Sequence, residues 1–169
     1  MPVDSFKFLP RLIATFYKTN QVQPELPIPW TPLPGPLSGG KFALVTSAGI
    51  YLKDRQPPFD LERERQDPAW GDPTYRAIPT DVLQEQIGVS HLHVNPQDVQ
   101  EDINILLPIH RFQELVEQGT IGELADRAYS FMGYQGFPPD ASRWRDHYAP
   151  EIAQALRADQ VDCVFLTPS

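Results

Sequence analysis

The chain has 169 residues and a formal net charge of −8, which suits one domain, or one domain with an arm. This acidic balance excludes an ordinary nucleic-acid-binding protein, which needs clustered Lys and Arg, and it disfavours an anionic membrane surface. No apolar run reaches the roughly 20 residues of a membrane-spanning helix. Pro10 and Arg11 interrupt the apolar stretch that a signal peptide requires, so we expect a cytoplasmic protein.

The first 40 residues are rich in proline and predict an extended arm. Prolines stand at positions 2, 10, 24, 27, 29, 32, 34 and 36. Each removes a backbone donor and fixes φ, which excludes a helix interior or a central strand over most of this stretch. Only residues 5–18 have the spacing of a short helix. We therefore predict an arm over 1–40 and a domain over 41–169.

The domain begins with an apolar run that predicts a strand. Residues 42–46 are apolar at nearly every position, as in a parallel strand covered on both faces, and residues 87–94 predict a second strand. The stretch 53–80 between them is charged, broken by prolines and long for a connection. Such a segment predicts a lid or binding loop, in which Arg76 could clamp a carboxylate.

Helical and strand patterns alternate through the rest of the chain. Residues 96–118 show helical spacing, and residues 129–132 suit a short strand. A helix over 149–160 then leads directly into a buried strand over 161–167. Such short helix-to-strand links are typical of βαβ units. The sequence predicts an α/β fold with a mostly parallel sheet flanked by helices, doubly wound in the Rossmann- or flavodoxin-like manner.

Small polar residues follow three of the predicted strands. They are Thr46-Ser47-Ala48-Gly49, His91-Leu92-His93 and Thr167-Pro168-Ser169. The carboxyl ends of parallel strands share one edge of a sheet, so we expect these side chains to converge there. Taken singly, each group is explained by the preference of small polar residues for turns.

Two histidines are the titratable candidates at this edge. His91 and His93 are two residues apart, so on a strand they point to the same face. No Cys, His or Glu partner has convincing spacing, so we predict no metal site. Imidazole titrates near neutrality, which favours hydrogen bonding or proton transfer, and a purely structural histidine is the alternative. Cys163 lies in mid-strand, where a thiol is a poor nucleophile.

Four stretches of residues 41–169 together resemble the selenoprotein B family of glycine, sarcosine, betaine and D-proline reductases. The resemblance is carried by several long segments, which makes it specific. It is closest to short bacterial members of the family. The segments read "FALVTSAGIYLKDRQPPFD", "GDPTYRAIP", "SHLHVNPQDVQEDINILLPIHRFQELVEQGTIGELADRAYSFMGYQG" and "APEIAQALRADQVDCVFLTPS".

The resemblance implies a redox residue directly after the last strand. In this family the strand similar to "VFLTPS" is followed by selenocysteine or cysteine, with a second cysteine three positions later. The chain to Ser169 would then be the N-terminal part of a longer oxidoreductase. It would contain no catalytic residue and no cofactor of its own. The residues expected to face the substrate or the selenolate are Thr46, Ser47, Gly49, His91, His93, Asn104, Ser130, Met132, Thr167 and Ser169.

The resemblance also implies the chemistry and the partners. In the family, the selenolate attacks the α-carbon of a small amino-acid-like substrate, and the C–N bond is cleaved reductively. The substrate is activated on a pyruvoyl group carried by a partner subunit, and thioredoxin supplies the electrons. A selenol or thiol at the start of a helix would be held as its anion by the helix dipole and backbone N–H groups. An oligomer is compatible with this arrangement.

Two other functions remain open. The chain could be a non-catalytic subunit that keeps the fold for binding but has lost the redox motif. It could also be an unrelated α/β enzyme in which His91 or His93 acts as acid or base.

Overall fold

The structure, a computed structural model, describes residues 5–19, 31–92 and 94–168. The chain divides into two compact units, Met1–Pro32 and Leu33–Ser169. In the first unit a 3-10 turn precedes α1 (Arg11–Thr19), whose Leu12 side chain is 84% exposed. Most of the predicted proline-rich arm lies outside the described residues, so the arm stays a prediction.

The second unit is built on a mixed sheet whose described strands run mostly parallel. These strands are β1 (Lys41–Thr46), β3 (Tyr75–Pro79), β5 (Glu123–Leu124), β6 (Arg127–Phe131) and β7 (Cys163–Thr167). β1 pairs in parallel with β7 along one edge, and with β5 and then β6 along the other. β3 is antiparallel to β6. The predicted mostly parallel sheet is confirmed.

Helices flank this sheet, which confirms the α/β class. They are α2 (Leu61–Gln66), α3 (Pro96–Glu101), α4 (Ile109–Glu117) and α5 (Ala149–Ala158). The first turns of α2 and α3 are capped by side chains. Asp60 accepts a hydrogen bond from the Arg63 N–H, and Asn95 accepts one from the Gln97 N–H. Within the described ranges, none of the helices combines the length and apolar content needed to cross a membrane.

The core lies on the face of the sheet that carries Leu44 of β1. Leu44 is fully buried and packs in one cluster with Ile50, Ile109 and Phe112. On the opposite face, the Tyr75 ring lies 5.8 Å from Tyr129 and its hydroxyl donates to Glu151 of α5 at 2.8 Å. Burial and the Glu151 contact raise the pKa of Tyr75 to about 12. Covering both faces explains why β1 is apolar at successive positions.

The stretch 53–80, predicted as a lid or binding loop, is not the unstructured connection that its composition indicated. This stretch contains α2 and the strand β3, which pairs with β6 along its whole length. Arg76 does not project from a loop: it donates to the carbonyls of Pro57 and Pro58, and its guanidinium lies 4.2 Å from the Phe59 ring centre. The composition of residues 53–80 did not predict this strand, because β3 is stabilised by its pairing with the distant strand β6.

The second predicted strand is much shorter than expected. The structure has only β4 (Ile87–Val89), which pairs antiparallel with β2 (Ile50–Leu52) in a separate two-stranded sheet. His91 therefore lies in the loop after β4, and the argument that alternate strand residues share a face does not apply to it. The apolar pattern of 87–94 fits a short strand of a separate two-stranded sheet as well as a full strand of the main sheet, so the pattern alone did not predict which one forms.

The last strand forms where predicted but is not buried. In β7 the side chains of Val164, Phe165 and Leu166 are 38%, 45% and 67% exposed. Within the described part of the chain, β7 pairs with β1 on one side only. It is therefore an edge strand that presents apolar side chains and unpaired backbone groups, which favours association.

We expect the 169-residue chain to self-associate through this strand as its concentration rises. Leu166→Lys should weaken the association about tenfold, because a buried leucine contributes roughly 1.5 kcal/mol or more to a contact. Sedimentation velocity over a concentration series measures the effect. Leu83→Lys is the matched control, since Leu83 is 56% exposed but lies away from β7. Equal association of the two variants would contradict the prediction.

Candidate functional site

The carboxyl ends of β1 and β7 are joined by hydrogen bonds. Thr46 and Thr167 are partners in the strand register, and the Thr46 hydroxyl donates to the Thr167 carbonyl at 3.1 Å. The Ser47 N–H also donates to that carbonyl, at 3.3 Å. The Thr167 hydroxyl in turn donates to the carbonyl of Leu106, before α4, at 2.7 Å. These bonds fix the exit of β7 against the exit of β1.

The loop after β4 reaches the same end of the sheet by another route. The Ser90 N–H donates to the Gly49 carbonyl at 2.8 Å, and the Gly49 N–H donates to the Phe131 carbonyl at 2.8 Å. Gly49 thus links the loop that carries His91 to the end of β6. The predicted convergence of these segments is present, but His91 arrives through the β2–β4 pair and not through the parallel sheet.

His91, Ser47 and Gly133 meet at this end of the sheet. His91 is 9% exposed. A Cβ atom at Gly133 would lie 3.2 Å from His91 Nε2 and 3.4 Å from Ser47 Oγ. A side chain at position 133 would therefore press on both groups. We call Thr46, Ser47, His91, Gly133 and Thr167 the exit cluster.

Two predicted site residues lie beneath the exit cluster. Ser130 and Met132 are fully buried. The Ser130 hydroxyl accepts a hydrogen bond from the Ile50 N–H at 2.7 Å, and Met132 forms an isolated β-bridge with Ala48. Both residues therefore join β6 to β2 and to the segment after β1. The polar group at position 130 binds the backbone of β2.

Asn104 is committed to the start of α4. Its side-chain carbonyl accepts hydrogen bonds from the N–H groups of His110 at 2.9 Å and Arg111 at 3.3 Å. The Asn104 backbone N–H and then its side-chain amide donate to Asp102, which lowers the pKa of that carboxyl. Asn104 therefore caps a helix, and no described contact joins it to the exit cluster.

Asn104→Ala should destabilise the chain by about 1–2 kcal/mol, because the first N–H groups of α4 lose their acceptor. Chemical denaturation followed by circular dichroism measures the change. Gln100→Ala, an exposed substitution at the end of α3, should stay within about 0.5 kcal/mol of the parent. Equal stability of the two variants would show that the cap contributes nothing.

Two predicted site residues, His93 and Ser169, lie outside the described residues. Among the residues that are described, no group of three or more His, Cys, Asp or Glu side chains is placed to hold a metal ion. Cys163 pairs with Phe42 at the opposite end of β1 from Thr46. The exit cluster as described offers hydroxyls and an imidazole, which can donate hydrogen bonds and transfer a proton, but no soft nucleophile.

The sequence reasoning missed two residues that shape this region. Gly133 lies two residues after the end of β6, against Ser47 and His91. A small residue near the end of a strand is the signal that it leaves in the sequence. Gln135 is buried, and its amide donates to the carbonyls of Asp72 at 2.9 Å and Met132 at 2.8 Å. No local pattern predicts such a tertiary contact.

The family comparison covers all of the second unit and also α1 of the first. Residues 11–169 match the family described as glycine/sarcosine/betaine reductase selenoprotein B. The matched region contains every described residue of the exit cluster. No solved structure matches the chain.

Curated relatives give the same assignment. The chain is 36% identical over 139 residues to the D-proline reductase subunit gamma of Acetoanaerobium sticklandii, which covers 82% of this chain and 52% of that protein. It is 30% identical over 152 residues to the glycine reductase complex component B subunit gamma of Symbiobacterium thermophilum, covering 89% of this chain and 34% of that protein. The chain thus spans about half the length of the first relative and a third of the second. Together with the match over residues 11–169, these identities show that the chain belongs to the glycine/sarcosine/betaine reductase selenoprotein B family.

Proposed function

We propose that this chain forms the N-terminal part of a selenoprotein B-type reductase. A selenolate or thiolate directly after Ser169 would cleave a small, amino-acid-like substrate. The observation that supports the proposal is the exit cluster, in which the end of β7 is hydrogen-bonded to Thr46 and Ser47 of β1 and its exit. The Ser47 hydroxyl and His91 Nε2 border the same position beside Gly133. A residue placed just beyond β7 would emerge at the edge where α/β proteins commonly bind ligands.

The proposed reaction consists of two substitution steps followed by a reduction. The chalcogenolate attacks the substrate α-carbon, a carbon–chalcogen bond forms, and the C–N bond breaks with its electron pair leaving on the amine, which takes a proton. The thiolate of a second cysteine then attacks the chalcogen, and the carbon departs with its electron pair and takes a proton. The resulting chalcogen–sulfur bond is reduced by a dithiol donor of the thioredoxin type, which supplies two electrons.

The partners belong to the same proposal. The relatives are named as subunits, one of D-proline reductase and one of a glycine reductase complex. We propose that a companion subunit carries a pyruvoyl group, which would activate the substrate nitrogen as a leaving group. The substrate within this class is a small amino acid or a related amine.

The test begins with the codons after Ser169 and the mass of the protein in its native host. We expect UGA or a cysteine codon, followed within a few codons by another cysteine. Replacing the first of these residues by alanine in the complete protein, assayed with its companion subunit and a dithiol, should lower the rate of C–N cleavage at least about 1,000-fold. Ammonia measures the cleavage of glycine, and the open-chain 5-amino acid measures that of D-proline. Cys163→Ser is the control and should retain activity. Retained activity in the alanine variant would refute the proposal.

A non-catalytic subunit is the second candidate. It is favoured by the lack of a soft nucleophile in the exit cluster as described. It predicts that the native protein has the mass of 169 residues and co-purifies with a reductase subunit that supplies the redox residue. A native protein of the predicted greater length would exclude this candidate.

A further inference from the structure

We propose that α1 is the element through which this chain binds the companion subunit of the reductase. This inference rests on the proposed function, which includes such a subunit, and it names the surface that makes the contact. The surface combines exposed apolar side chains with basic ones. We call it the α1 face, and it consists of Lys7, Phe8, Arg11, Leu12, Phe16 and Lys18.

The helix α1 has an apolar side and a basic side. Leu12 and Phe16 are four residues apart, so they lie on the same side of the helix. Their side chains are 84% and 50% exposed, and Phe8, which precedes the helix, is 77% exposed. Arg11 and Lys18 are seven residues apart and share the other side. An amphipathic helix of this kind normally packs its apolar side against another surface.

The helix is too short to be stable without such a surface. It has nine residues, whereas isolated helices of fewer than about 12–15 residues are marginal in water. It belongs to the unit Met1–Pro32, and chains of fewer than roughly 40 residues rarely enclose a core of their own. Since Phe8 and Leu12 are mostly exposed in the single chain, another molecule has to supply the surface that they pack against.

The charge of this segment indicates the chemistry of the partner. Residues 5–19 contain three Lys and Arg and no Asp or Glu, whereas residues 33–169 contain 20 Asp and Glu against 11 Lys and Arg. Complementary charges across an interface guide association and select the partner. The α1 face therefore fits an apolar groove bordered by carboxylates, whereas the same helix of a second copy would repel it.

A membrane is the other kind of surface that basic amphipathic helices bind. An anionic membrane would attract α1 but repel the rest of the chain, in which acidic residues outnumber basic ones. The family match begins at Arg11, the first residue of α1, so the helix is part of the region shared with the reductase family. These observations favour a protein of the same complex as the occupant.

The test measures the Kd between the complete protein and its companion subunit by isothermal titration calorimetry. Leu12→Ala keeps a good helix former but removes most of an apolar side chain from the α1 face. We expect the Kd to rise at least about tenfold, because this substitution removes apolar area from the contact. Leu83→Ala is the matched control, since Leu83 is 56% exposed on the second unit, and it should leave the Kd unchanged.

The basic residues are tested separately through the salt dependence of binding. Replacing Arg11 and Lys18 together by glutamine should raise the Kd about fivefold at low ionic strength, and the difference should disappear at high salt. The matched control replaces Arg143 and Arg157 by glutamine, since both are exposed on the second unit. Equal effects of the two pairs would show that only net charge matters and would contradict the assignment to α1.

Three results would overturn the inference. One is unchanged binding of the companion subunit by a folded Leu12→Ala protein; the proposed function stands in that case if C–N cleavage persists. Another is binding to phosphatidylserine vesicles that Leu12→Ala abolishes while the companion still binds, which would assign the α1 face to a membrane. The third is a dimer of the protein alone that Leu12→Ala dissociates while the companion still binds. If no companion subunit binds the complete protein, the inference and the proposed partner both fail.

Discussion

Replacing Gly49 with alanine is expected to destabilise the chain by at least about 3 kcal/mol, the upper range for single substitutions. Gly49 has φ +66°, in the left-handed region that favours glycine. A Cβ atom there would lie 2.2 Å from the carbonyl oxygen of Ser90. That oxygen belongs to backbone, so it can move away only if the Ser90 N–H gives up its 2.8 Å bond to Gly49.

Gly119→Ala is the control that separates the steric clash expected at Gly49 from the strain of a left-handed backbone. Gly119 has nearly the same φ, +68°, but a Cβ atom there meets nothing within 4 Å. Its replacement should therefore cost only the strain of a left-handed alanine, about 1 kcal/mol. Urea unfolding of both variants, followed by circular dichroism, gives the difference. Equal losses would show that the loop after β4 is not packed against Gly49.

Leu44→Ala is expected to lower the free energy of unfolding by about 3–4 kcal/mol, because it opens a cavity in the core beneath the exit cluster. Leu44 is fully buried on β1, two positions before Thr46, and its neighbour in the register on β7 is Phe165. The substitution removes packing from the strand that carries Thr46 and Ser47. Denaturant titration at one temperature measures the change.

Leu166→Ala is the matched control for this substitution. It makes the same chemical change on the adjacent strand, but Leu166 is 67% exposed, so the loss should stay below about 1 kcal/mol. A large loss at Leu166 with a small one at Leu44 would mean that β7, and not β1, is the centre of the sheet. The register of β1 with β5, β6 and β7 predicts the opposite.

The exit cluster depends on glycines as much as on polar side chains. Gly49 lets the loop after β4 approach β1, and Gly133 lets His91 and Ser47 share one space. Each glycine brings together segments that are distant along the chain. The cluster is consequently a product of close backbone approach, and a substitution at either glycine should disturb it before it disturbs the rest of the sheet.

The sequence by itself determined the elements whose pattern is local. The apolar run of β1, the α5–β7 link and the helical spacing of α4 each lie within a short window, and short-range spacing is sufficient to identify them. The α/β class followed from their alternation. The resemblance to the selenoprotein B reductases also came from the sequence, because its long segments are specific without any structure, and the family comparison confirms it.

Only the tertiary structure decided the features that depend on distant partners. β3 is a strand because β6 pairs with it, and β4 leaves the main sheet because β2 pairs with it. β7 is exposed because only β1 covers an edge of it among the described residues. The position of His91 likewise follows from backbone contacts between segments that lie 40 or more residues apart. Such contacts leave no local pattern, since the free energy that fixes them comes from packing and pairing across the fold.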